Sequence, residues 1–157
     1  MTPAPSPGEA LPSLTVPITR TLIVAGAIAS RDYQDVHHDA EAARAKGAPD
    51  IFMNILTTNG LVGRYITDRL GPGAVLRKVA IRLGVPNYPG DTLLLTGTIN
   101  SICADERHAE DGSRLSEGAP RLLAEVAVVG TNSLGRHVTG TVIVALPTAQ
   151  PLLRESP

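Results

Sequence analysis

The sequence has no tryptophan, one phenylalanine (Phe52) and three tyrosines (Tyr33, Tyr65 and Tyr88) among its 157 residues. Recognition by stacked bases needs several aromatic rings, which argues against a nucleic-acid platform and leaves the core to Val, Leu, Ile and Ala. No sign of charge is in excess: 14 basic and 15 acidic residues give a net charge of −1, no footprint for nucleic acid or an anionic membrane. A single cysteine, Cys103, excludes an internal disulfide and a Cys-based zinc cage. No apolar run approaches the roughly 20 residues that span a bilayer. The opening MTPAPSPGEALPSL carries proline where a signal peptide needs an apolar stretch. There is no GxSxG, no Walker loop, no GxGxxG and no metal-ligand cluster. These absences predict a cytoplasmic protein without metal, nucleic-acid or membrane partners, and the length fits one domain.

What is present is a globular composition, 43% apolar and 18% charged. Residues 1–18 hold five prolines (Pro3, Pro5, Pro7, Pro12 and Pro17) and predict an extended, flexible leader. The folded domain is expected over 19–147, with a loose tail at 148–157. Thr21 to Ile28 is apolar and partly β-branched, the length of a strand. Asp39 can cap a short helix, AEAARAK, that stops at Gly47.

From Ile51 to Leu70 the period changes. Ile51, Ile55, Val62, Ile66 and Leu70, widened by Leu56 and Leu61, form the stripe of an amphipathic helix ended by Gly71-Pro72. Thr57, Thr58 and Gly60 suit a tightly enclosed helix. Val79, Ile81, Leu83 and Val85 then alternate with Lys78, Ala80, Arg82 and Gly84. A tight turn at 87–91 leads to a strand from Thr92 to Cys103. A charged exposed loop follows at 104–119, and two strands at about 121–131 and 136–146 meet at an Asn132–Gly135 hairpin turn.

One apolar helix and four meandering antiparallel strands pack most simply when the sheet curls around the helix, which is the α+β hotdog fold. Other arrangements put a helix on one face of an antiparallel sheet, so the pattern alone leaves them open.

The segment RDYQDVHHD (31–39) gathers the titratable residues. A loop that turns back could bring Asp32 and His37 onto one acyl group, where a carboxylate and an imidazole share acid–base work. Spacing alone favours a plainer reading, Asp32 as a turn cap and His37 as a surface residue. The same residues resemble the D-x-N-P-[IV]-H signature of the MaoC-like, or (R)-specific, enoyl-CoA hydratases: Asp32, Val36 and His37 coincide with it, whereas Gln34 and Asp35 replace the usual Asn and Pro. VPNYPGDTLLLTGTI (85–99) and ILTTNGLVGRYITDRLGP (55–72) are similar to two further family segments. The small hotdog subunit of the steroid side-chain enoyl-CoA hydratases resembles the chain over roughly residues 20–146, in segments such as DIFxNILT and NxLGxHVTxTV.

The resemblance implies addition of water across the α,β double bond of an acyl-CoA thioester, with a bulky, steroid-derived acyl group. It implies that Asp32 and His37 activate the water and return a proton to Cα, with the Asn54 backbone N–H, where the family commonly has Gly, meeting the thioester oxygen. Thr57 and Thr58 would leave room for the acyl group. No cofactor is implied beyond coenzyme A as part of the substrate. The implied assembly is a heteromer with a second, larger MaoC-like chain, otherwise a homodimer. Two alternatives remain: a non-catalytic partner subunit, and an acyl-CoA thioesterase, for which Asp68 is the only acid on the central helix.

The remaining polar residues read as structural. His38 is exposed, His108 solvated in its loop, and His137 caps the last hairpin. Arg64, Arg69 and Arg82 are surface charges, Gly90 and Asp91 shape a turn, Cys103 is a small buried residue, and Ser30 hydrogen-bonds Asp32.

Overall fold

Alternation with period two builds the sheet, and a computed structural model describes it over residues 5–104 and 121–147. Strands β1 (Ala10–Pro17), β2 (Val75–Leu83), β3 (Thr92–Ala104), β4 (Arg121–Asn132) and β5 (Gly135–Pro147) form one antiparallel sheet in the order β1-β3-β4-β5-β2. Along β3 the buried positions alternate through Leu93, Leu95, Gly97 and Ile99, all on one face of the sheet. The central helix, α3 (Ile55–Leu70), packs against β1, β2 and β5. Its Tyr65 lies over Gly97 of that buried face, where an added Cβ would come within 3.0 Å of the ring. The hotdog arrangement is thus the observed one.

Several expectations are corrected. The Pro-rich leader is not loose throughout: residues 10–17 are edge strand β1, paired with β3 from Ala10↔Thr98 to Pro17↔Thr92. Proline is tolerated there because an edge strand has N–H groups that no neighbour needs. The apolar run after it is a helix, α1 (Arg20–Ala29), not a strand. Thr19 caps it by accepting the Leu22 N–H, and Ile23 and Ala27, one turn apart, face the core. The central helix begins at Ile55 rather than Ile51, because Asn54 caps it and residues 51–54 lie outside any helix. Its buried stripe is Thr58, Leu61, Val62, Tyr65 and Ile66; Ile55, Leu56 and Gly60 are exposed. Cys103 is exposed too.

The short helix α2 (Ala40–Ala45) forms as expected, with the Asp39 carboxylate accepting the Glu41 and Ala42 N–H groups. The expected loop at 104–119 beyond Ala104, with His108 in it, and the expected tail at 148–157 lie outside the described residues. Among the described residues no helix is long and apolar enough to cross a membrane.

Candidate active site

Helix α1 delivers Asp32 through a tight reversal. The Arg31 N–H donates to Ile28 O and the Asp32 N–H to Ala27 O, the paired bonds of a helix end that needs a left-handed residue. Arg31 takes that conformation, φ 56°, although glycine is the residue that does so without strain. Asp32 therefore leaves the helix at once and turns toward the start of α3.

Five residues on, a 3-10 turn (Asp35–His37) presents His37, which is buried. Asp35 stands where the signature has proline, at the first position of the turn, and its carboxylate pairs instead with Lys46 at the end of α2. The His37 Nδ1–H donates to the Phe52 carbonyl at 2.7 Å, and the Phe52 ring meets the imidazole edge-on. With Nδ1 so engaged, Nε2 is the working nitrogen. It lies 3.3 Å from Asp32 Oδ2.

Asn54 completes the group. Its Oδ1 accepts the Thr57 N–H to cap α3, and its Nδ2 donates to Asp32 Oδ2 at 3.0 Å and Ser30 Oγ at 2.9 Å. The Asn54 amide is the largest influence holding the Asp32 carboxyl below its ordinary range, ahead of the Gln34 N–H and His37, while partial burial opposes them. Ser30 thus reaches Asp32 through Asn54 rather than directly. The Asn54 backbone N–H has no backbone acceptor among the described residues and sits at the start of α3, where the helix dipole favours negative charge.

Asp32, His37 and Asn54 line one cleft of about 290 Å³ together with Phe52, Met53 and the stretch from Leu83 to Pro86. Its walls are mostly apolar with a few convergent polar groups, the usual make-up of a small-molecule site. Thr57 and Thr58 are not among the lining residues. The Thr57 hydroxyl is buried against Gly26 without a hydrogen-bond partner among the described residues. Thr58 is fully buried and bonded to His137. His137 does not cap the hairpin: it is buried and lines the cleft. Its role was invisible in sequence, because the Thr58 partner is 79 positions away. Arg64 pairs with Asp68, and Arg69 bonds the β1 carbonyls of Pro12 and Ser13. Among the described residues no three His, Cys, Asp or Glu side chains gather as a metal ion would require.

No family model matches the chain. It is 44% identical over 139 residues to the 3-oxo-4,17-pregnadiene-20-carboxyl-CoA hydratase beta subunit of Mycobacterium tuberculosis, covering 88% of this chain and 95% of that one. Its fold is similar to a chain of the ChsH1–ChsH2 complex from the same organism, with a TM-score of 0.75, 42% identity and coverage of 90% and 98%. An (R)-hydratase from A. caviae shares the fold at 19% identity and a TM-score of 0.72, over 90% of this chain and 97% of that one. A curled antiparallel sheet around one helix defines a hotdog fold, and the 44% identical relative sets the chain among the hydratase subunits. The chain belongs to the MaoC-like (R)-specific enoyl-CoA hydratase family, on the branch of the small steroid side-chain hydratase subunits.

Proposed function

We propose that this chain carries the reacting groups of an enoyl-CoA hydratase acting on a bulky, steroid-derived acyl-CoA. The observation that supports it is the convergence of Asp32, His37 and the Asn54 amide at the start of α3. A water beside Asp32 Oδ2 and His37 Nε2 gives a proton to the pair as its oxygen bonds Cβ. The double-bond electrons move to the thioester oxygen, where the Asn54 backbone N–H stabilises the charge. The pair then returns a proton to Cα, so water is consumed and the protein restored. No cofactor enters; coenzyme A belongs to the substrate.

A pocket that encloses a drug-sized molecule spans ~300–1,000 Å³, so a cleft of about 290 Å³ suits the reacting end of the acyl group and leaves the ring system to a neighbouring subunit. We assign that neighbour to a second, larger MaoC-like hotdog chain. The 44% identical relative is named a beta subunit, and the 42% identical structure is a two-component complex, which supports a heteromer over a homodimer. Thioester hydrolysis is disfavoured because Asp68, the acid of α3, is paired with Arg64 and does not line the cleft.

The test is loss of the conjugated enoyl-thioester absorbance by the co-expressed complex, with wild type, Asp32→Asn and His37→Ala. Hydration that fails in both variants supports the reading. Appearance of free CoA instead would point to hydrolysis, and unchanged rates in both variants would make this chain a scaffold.

A further inference from the structure

His137 lines the same cleft as His37, yet the hydration chemistry above gives it no task. It joins three segments that are distant in sequence. Its Nδ1 lies 2.7 Å from the Val85 carbonyl, an acceptor only, so that nitrogen carries the proton. Nε2 is then bare and accepts the Thr58 hydroxyl at 2.9 Å. Thr58 is one turn into α3; its N–H donates to Asn54 O, and its hydroxyl lies 3.4 Å from the same atom. Burial lowers the proton affinity of His137, which keeps the ring in the neutral form this arrangement requires.

We infer that His137 is a positioning residue: with Thr58 it clamps the first turn of α3 to the strand exit at Val85, and so fixes the Asn54 amide that holds Asp32. The inference rests on the hydratase reading for its purpose, although the clamp itself is read without turnover. A buried bridge between two walls of one cleft sets their separation, and a displacement of even 1 Å in a reacting group is costly. The side chain passes its effect to Asp32 through Thr58 and Asn54 and touches no reacting atom. Of the titratable groups around Asp32, His37 is within bonding reach; Asp35 is engaged by Lys46, and Arg31 is exposed.

The experiment follows the carboxyl ¹³C titration of Asp32 in the purified complex, its signal assigned by its absence in Asp32→Asn. Thr58→Val and His137→Gln should each raise the Asp32 midpoint by about 1 pH unit, the direction expected when a hydrogen bond to a carboxylate is loosened. Asn54→Ala should do the same, and Thr58→Ser, which keeps the hydroxyl, should restore the wild-type midpoint. In turnover, Thr58→Val should lower kcat about tenfold with KM within about twofold, the pattern of a misaligned reacting group rather than of weakened substrate binding. A residue that merely fills the core would lower Tm and leave the Asp32 midpoint in place. An unmoved midpoint in both folded variants overturns the clamp. Midpoint shifts in the variants of a complex that performs no hydration even as wild type would overturn the hydratase reading alone.

Discussion

The Asn54 side chain joins Asp32 to the central helix: one amide atom accepts the Thr57 N–H that opens α3, and the other donates to Asp32 Oδ2 at 3.0 Å. Helix capping and carboxylate orientation are therefore one structural task.

Asn54→Ala removes both bonds. Loss of the cap should lower stability by ~1 kcal/mol, readable by urea denaturation, and the acid limb of the kcat/KM profile should move to higher pH as Asp32 loses its donor. Asn54→Asp keeps an acceptor for the Thr57 N–H but sets a second carboxylate against Asp32, so it should move the acid limb further and lose stability at neutral pH that protonation of the pair recovers. Equal effects of the two substitutions on the limb would contradict this separation.

Gly26 allows α1 to approach α3: an added Cβ would fall 2.8 Å from Thr57 Cγ2. Gly26→Ala should therefore destabilise by ~1–3 kcal/mol despite the better helix propensity of alanine. Thr57→Ala in the same chain should recover most of that loss. Additive losses in the double variant would show that the two residues do not compete for space.

His137 makes stability depend on pH near neutrality. Its folded-state proton affinity is reduced, chiefly by burial, so the unfolded chain binds its proton more readily. Stability is then complete above the unfolded value of about 6.5 and falls as pH drops below it. Tm should decline by ~2–4 °C between about pH 7 and about pH 5.5, and His137→Gln should flatten that slope. Asp32, Asp35, Asp50 and Asp91 have lowered values and act in a separate, more acidic window.

Removing residues 1–17 strips β1 from β3 and uncovers part of the core beneath Leu11 and Val16, both buried. The truncated chain should be poorly soluble, because β3 becomes an unprotected edge. Removal of residues 1–8 should leave solubility and Tm near wild type.

Strands β2 to β5 and the α2 cap were legible because each is written locally, as an alternation or a capping residue. The approach of Asp32 to His37 was expected only from the family resemblance, since their spacing alone favoured a turn cap and a surface residue. Helix α1 was not legible: TLIVAGAI is apolar and β-branched, and only the Thr19 cap and the one-turn spacing of Ile23 and Ala27 distinguish it from a strand. In β1 the prolines masked a strand that an edge position makes tolerable. The start of α3 was misplaced because residues 51–53 are as apolar as the helix stripe, while the Asn54 cap after them sets where the helix begins. Partnerships such as Thr58 with His137 or Asn54 with Asp32 depend on tertiary closure, and no local pattern encodes them.

Strand β2 is a margin of the sheet, and the residues that leave it, Leu83 to Pro86, are a wall of the cleft. A chain added along that margin would abut the pocket without disturbing Asp32 or His37. On the proposed function, reaction type would be retained in this polypeptide while acyl preference is retuned by exchanging the proposed companion chain.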